Sequence, residues 1–336
     1  MAQDGNIQNV KKWEHPDSGE NRSQYFPLIG EPKINTLQKK LIVAVAPVGA
    51  FLDKAVAPGV PNNPREIIQA AKDCYDAGAS FVHIHCKTEE GILSVDPKLS
   101  VDTLQPIKEL CPGVIISGNV ADRKGFDDRR LFEEPLEEIL KLDPDIFDTY
   151  TLQSASRTNW KVTKAGMQDQ IRCLEDFGIK PEIQCPTLHG TINIKRWLID
   201  TGVLRMKPYF INMHLGKSDS TPLSVGEPLS TQLLLNAIQL IPEGSTKGVF
   251  PCGRNWLPAA VTSLTQGVDF IRVGFDDAIW MYPHRDEQAV SSADMVRKLV
   301  TIATTMGIEI ATPQEARQIL GLEEVRATER ARLLAA

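Results

Sequence analysis

Eight short apolar runs recur along the chain at fairly regular spacing, with helical patterns filling the intervals. They fall at 41–46, 81–85, 114–117, 146–150, 182–185, 209–214, 249–252 and 269–273. Each is too short for a helix and rich in β-branched or aromatic residues, which marks a buried strand. Asn63-Pro64-Arg65-Glu66 supplies an N-cap, a proline at the first helical position and an acid in the first turn. Thr312-Pro313-Gln314-Glu315 repeats that chemistry near the end, and Gly178, Gly202 and Gly267 each stand where a helix hands over to a strand. Eight strands alternating with helices over about 230 residues fit a (β/α)8 TIM barrel better than an open doubly wound sheet. No Gly-x-Gly-x-x-Gly follows any run, which counts further against a dinucleotide-binding fold. The expected organisation is a polar N-terminal extension over 1–40, a barrel over 41–325 and a short tail over 326–336.

Composition narrows the function classes. With 42% hydrophobic and 24% charged residues the chain reads as an ordinary globular protein. A net charge of −6 leaves no basic footprint for nucleic acid. No apolar run has the length of a membrane span, and the N-terminus lacks the apolar stretch of a secretory signal. Six scattered cysteines without a CxxC spacing suggest reduced thiols in a cytoplasm.

Within the second run, Phe81-Val82-His83-Ile84-His85 places two histidines at i and i+2, on one face of a strand. Two adjacent imidazoles make half of a metal site, although ordinary hydrogen bonding explains such a pair as well. In a barrel the chemistry sits at the C-terminal ends of the strands. The eighth run ends in Arg272-Val273-Gly274-Phe275-Asp276-Asp277, and barrel closure brings it near the second run. An aspartate there reaches a metal held by the histidines; the bland alternative is a helix N-cap pair. His83, His85 and one aspartate would leave the open coordination position of a catalytic zinc.

From Leu41 to Leu322 the chain resembles the β-keto acid cleavage enzymes of the 3-keto-5-aminohexanoate type. The resemblance is carried by Ala46-Pro47-Val48-Gly49-Ala50, Asp76-Ala77-Gly78-Ala79, the histidine pair and Gly253-Arg254. It continues through the Arg272–Asp277 segment and Ala311-Thr312-Pro313-Gln314-Glu315-Ala316-Arg317. It implies zinc held by His83, His85 and Asp276, where the family usually has a glutamate, and Asp277 as a base beside Arg272. It implies further that Ser117 helps hold the substrate carboxylate, although Gly118-Asn119 departs from the usual Thr-Gly. Glu182 matches an inward acid of the fifth strand, with a structural ion pair as its alternative role.

Phe51 stands where the aminohexanoate type has a glutamate able to pair with a substrate ammonium, so an amino substrate is disfavoured. Lys87 replaces an arginine and loses its bidentate fork. The implied reaction joins a β-keto acid to acetyl-CoA and yields acetoacetate and a new acyl-CoA, in a homo-oligomer that the family suggests is a tetramer. Arg254 is a candidate contact for CoA phosphate or carboxylate; a surface arginine is its alternative. Two other functions compete. An amidohydrolase-type hydrolase would use His189 and His214, but its histidine pair belongs on the first strand and no lysine stands out on the fourth. A zinc-containing binding protein without turnover would leave Asp277 and Arg272 without a task.

Overall fold

A computed structural model describes residues 33–50, 52–119, 129–155, 162–216 and 228–322, with backbone alone for 35 and 129–134. Most of the expected extension, the tail from 326 and Phe51 lie outside the described residues. Eight strands form the sheet: β1 (Ile42–Val45), β2 (Phe81–His83), β3 (Ile115–Gly118), β4 (Thr149–Gln153), β5 (Lys180–Cys185), β6 (Tyr209–Leu215), β7 (Ser245–Pro251) and β8 (Phe270–Val273). They pair in parallel in chain order, and β8 closes on β1, with Ala44 opposite Arg272. The chain is a closed (β/α)8 barrel.

The helices follow in alternation: α1 (Pro64–Asp76), α2 (Pro97–Leu110), α3 (Arg129–Leu142), α4 (Lys164–Asp176), α5 (Leu188–Asn193), α6 (Thr231–Leu240), α7 (Trp256–Thr265), α8 (Ser292–Thr305) and α9 (Pro313–Leu320). A π-helical segment, Ile194–Ile199, continues α5. Asn63 caps α1 by accepting from Glu66 N at 2.9 Å, and Thr312 with Glu315 forms a complete capping box on α9. Among the described residues no helix is long and apolar enough to cross a membrane, and the six cysteines are buried and not joined in disulfides.

Alternation along the strands layers the barrel interior. Phe81, Phe210 and Phe270 meet edge-on, with ring centroids 4.9–5.9 Å apart. Ile42, Ile115 and Phe250 join them, and α9 adds Ala316 and Leu320 to the same cluster, which closes the N-terminal end. Two residues further along each strand the inward positions turn polar: His83 after Phe81, Ser117 after Ile115, Asn212 after Phe210 and Arg272 after Phe270. A period of two therefore stacks a dry aromatic floor under a buried polar layer.

The fourth strand starts later than its apolar run suggests, at Thr149 and not 146. Asp148 is the reason. Its Oδ2 accepts from the backbone N of Ile116 at 2.9 Å, and its carboxylate pairs with Arg317 at 2.9 Å. A side chain thus occupies a hydrogen bond that a longer ladder would have used.

Candidate active site

His83 ends β2 and His85 lies two residues beyond, so the two rings share a side. Their Nε2 atoms stand 3.2 Å apart, and Asp276 Oδ1 lies 3.9 Å from His85 Nε2. One ligand atom from each of the three lies within 4.8 Å of the others, and all three residues are buried. Two nitrogens on a tetrahedral ion at about 2.0–2.1 Å are about 3.3 Å apart, so the histidine spacing suits such an ion. The Asp276 separation is wider, as befits a carboxylate one methylene shorter than glutamate. Burial, then the positive charge of Arg272, holds His83 well below its ordinary pKa. Its imidazole is neutral, the form that ligates metals.

Arg272 is fully buried and binds both acids of its own loop. Its Nε donates to Asp277 Oδ2 at 2.8 Å, and its Nη2 donates to Asp277 Oδ1 at 2.6 Å and Asp276 Oδ2 at 3.1 Å. The guanidinium lies 3.9 Å from the centroid of the Phe250 ring. Burial disfavours its charge, but Asp277 and Asp276 outweigh that and raise its pKa above the ordinary value. The division between the acids is informative. Asp277 gives both oxygens to Arg272, whereas Asp276 gives one and turns Oδ1 toward the histidines.

The loop that carries these acids depends on Gly274, whose φ is +124°. A Cβ there would run into the backbone of Ala46, and Asp276 N donates to Ala46 O at 3.2 Å just beyond. The close approach of the β8 loop to the end of β1 is what aims the carboxylates at β2.

Ser117, expected to hold the substrate carboxylate, and Glu182, the inward acid of β5, are fully buried and bonded to each other. Ser117 Oγ donates to Glu182 Oε2 and lies 3.3 Å from His83 Nδ1. Asn212 Nδ2 donates to Glu182 Oε1 at 3.1 Å. Burial pushes the Glu182 carboxyl up to about 7, against the pull of Arg272 and of the hydrogen bonds from Ser117 and Thr149. Gly118 packs where a Cβ would strike the rings of Tyr150 and Phe147, and Asn119 is half-buried just past it.

The sequence from 40 to 322 matches the family described as beta-keto acid cleavage enzyme. The chain belongs to that family. The 3-keto-5-aminohexanoate cleavage enzyme of Fusobacterium nucleatum is 31% identical over 292 residues, spanning 86% of this chain and all of the relative. The 3,5-dioxohexanoate:acetyl-CoA acetone transferase of Paraburkholderia graminis is 25% identical over 315 residues, 85% of this chain and 97% of the relative. The solved binary complex of ObcA with oxaloacetate superposes with a TM-score of 0.60 at 16% identity, covering 79% of this chain and 67% of that one, a likeness of fold.

In this cleavage-enzyme family member a cavity of about 370 Å³ opens onto the acids, lined by Leu52, Val56, Ile279 and Trp280 beside Asp276 and Asp277. Arg254 lines it too, stacked 3.8 Å from the centroid of the Trp280 ring and donating to Asp286 Oδ1 at 2.9 Å. Lys87 is buried and donates to the backbone oxygen of Leu52 at 2.8 Å; burial lowers its pKa. His214 and Cys252 were not among the residues expected at the acid centre. His214 Nε2 and Cys252 Sγ each lie 3.5 Å from Asp277 Oδ1. The signal for His214 was its place two residues after Asn212 on one inward face; nothing local marks Cys252. His189, the other histidine a hydrolase would need, is exposed on α5.

Proposed function

We propose that the protein is a zinc-dependent enzyme that combines a β-keto acid with acetyl-CoA and releases acetoacetate and the CoA ester of the remaining acyl group. The observation that carries this reading is the pairing of two centres at one barrel mouth. His83, His85 and Asp276 form an N, N, O donor set, and beside it stands a carboxylate clamped by a buried arginine. That donor set suits zinc better than magnesium, which prefers oxygen ligands and bound water. When bound, the ion supplies Lewis acidity toward the keto and carboxylate oxygens of the substrate.

Asp277 takes the proton from the carbon between the two carbonyls. That carbon attacks the acetyl thioester and expels CoA thiolate. The thiolate then attacks the original keto carbon and breaks its bond to the same carbon, releasing the new acyl-CoA and an acetoacetate carbanion that regains the proton from Asp277. Arg272 fixes the direction of Asp277 without competing for the proton, because an arginine stays charged. Leu52, Val56, Ile279 and Trp280 give the cavity an apolar wall that favours an apolar acyl group. Arg254 at the rim is a contact for the CoA phosphates once Asp286 yields it. A cytoplasmic homo-oligomer completes the reading, to be checked by light scattering and cell fractionation.

The test is turnover. Purified protein is given acetyl-CoA and a panel of β-keto acids, and both acetoacetate and the new acyl-CoA are measured. Equimolar appearance of the two supports the reading; hydrolysis of either substrate without acyl exchange sinks it. Because Phe51 replaces an acid able to pair with an ammonium, neutral substrates should outpace 3-keto-5-aminohexanoate. The Phe51→Glu variant should narrow that gap, and a wild type that prefers the amino substrate would remove the argument.

A further inference from the structure

We infer that Glu182 and Ser117 form a positioning relay that fixes the tautomer of His83 and so presents its Nε2 lone pair to the metal. The inference rests on the reading of His83 as a ligand, and it concerns residues that never touch the ion. Glu182 faces three donors: Asn212 Nδ2 at Oε1, with Ser117 Oγ and Thr149 Oγ1 at Oε2. When ionised, above its pKa of about 7, a carboxylate so surrounded is an acceptor only. The single Ser117 proton is therefore directed at Glu182, and toward His83 the serine oxygen can only accept. The His83 nitrogen it meets, Nδ1 at 3.3 Å, must carry the hydrogen. In a neutral imidazole that leaves Nε2 unprotonated, and Nε2 is the atom that faces His85 Nε2 at 3.2 Å.

The relay crosses the barrel on strands whose register brings the parts together. His83 and Ser117 are directly opposed on β2 and β3, and Glu182 projects from β5. Its far end is held by Asn212, which fits because Gly248 beside it on β7 has no side chain; a Cβ there would overlap Asn212 Oδ1. The layer is fully buried at Ser117, Glu182 and Asn212, so water does not compete for these hydrogen bonds. Outer partners of this kind set ligand orientation and basicity, and their loss typically weakens metal binding about 10–100-fold.

The experiment reads the tautomer directly. Metal-free protein labelled with ¹⁵N-histidine is examined by NMR, with His83 assigned against His83→Ala, and zinc affinity is measured by chelator competition without substrates. Well above pH 7, with Glu182 ionised, wild type should show His83 as the Nδ1–H tautomer alone. Ser117→Ala should give a mixture and weaken zinc about 10–100-fold, and Ser117→Thr should restore both. Glu182→Leu removes the acceptor at similar volume; the freed Ser117 proton should then turn to Nδ1 and drive His83 to the Nε2–H form. A metal-free wild type with His83 in the Nε2–H form at that pH overturns the relay, as does Ser117→Ala with unchanged tautomer and affinity. Should wild type bind no zinc yet hold the Nδ1–H tautomer, the metal reading fails and the relay stands.

Discussion

At the scale of single residues, the two consecutive aspartates have been given different work by one arginine. Asp277 receives two short hydrogen bonds from Arg272, while Asp276 keeps an oxygen for the histidines. Asp277→Asn should therefore keep bound metal and lose about 10²–10⁴-fold in turnover, the range for a general base, as judged by elemental analysis beside steady-state rates. Loss of metal with a nearly intact rate would mean the two acids had been assigned the wrong way round. Glu182 makes a separate prediction for the metal-free protein. Its folded pKa, raised from 4.5 to about 7 by burial, means its contribution to stability is fully present below about 4.5 and is lost as pH rises through 7. The loss is roughly 3 kcal/mol at most, by linkage. Urea denaturation at pH 5 and pH 8 should show wild type weakening more than Glu182→Gln over that interval, and parallel curves would refute the shift.

At the scale of elements, the strand–loop junctions decide the site. The histidine pair was legible because i and i+2 on a strand must share a face, whatever the rest of the chain does. His214 was legible only as a histidine of the sixth strand, weighed for a hydrolase; that it, Asn212 and Cys252 reach Glu182 or Asp277 depends on the register of β5, β6 and β7, which no local pattern encodes. Asp148 misled the strand boundary for a related reason: its carboxylate takes the backbone N–H of Ile116, a contact between residues 32 apart in sequence. Gly274 tests the junction after β8. Its φ of +124° and the backbone of Ala46 against it leave no room for a methyl group. Gly274→Ala should cost about 1–3 kcal/mol of strain and weaken zinc binding, because relieving the overlap with Ala46 shifts the loop that carries Asp276. Chemical denaturation and chelator competition check the two parts, and a stable variant with unaltered affinity would show that the loop's approach to β1 does not aim the acid.

At the scale of the whole molecule, the barrel was readable from the count and spacing of its apolar runs, and its closure joined residues nearly 200 positions apart. His85 and Asp276 meet only because β8 pairs with β1, which in turn pairs with β2. An ion held as proposed by His83, His85 and Asp276 would tie the first quarter of the barrel to its last strand, and this carries a thermodynamic consequence. An unfolded chain separates these donors, so an ion that binds only the folded form adds RT ln(1 + [L]/Kd) to stability, about 2.7 kcal/mol at a hundredfold excess over Kd. Stripping the metal from purified protein should lower the unfolding midpoint, and adding zinc back should restore it in proportion to the logarithm of its concentration. The His83→Ala, His85→Ala double variant should be blind to zinc over the same range. A midpoint that ignores chelation in the wild type, or that still rises with zinc in the double variant, would place any bound ion somewhere other than the mouth of the barrel.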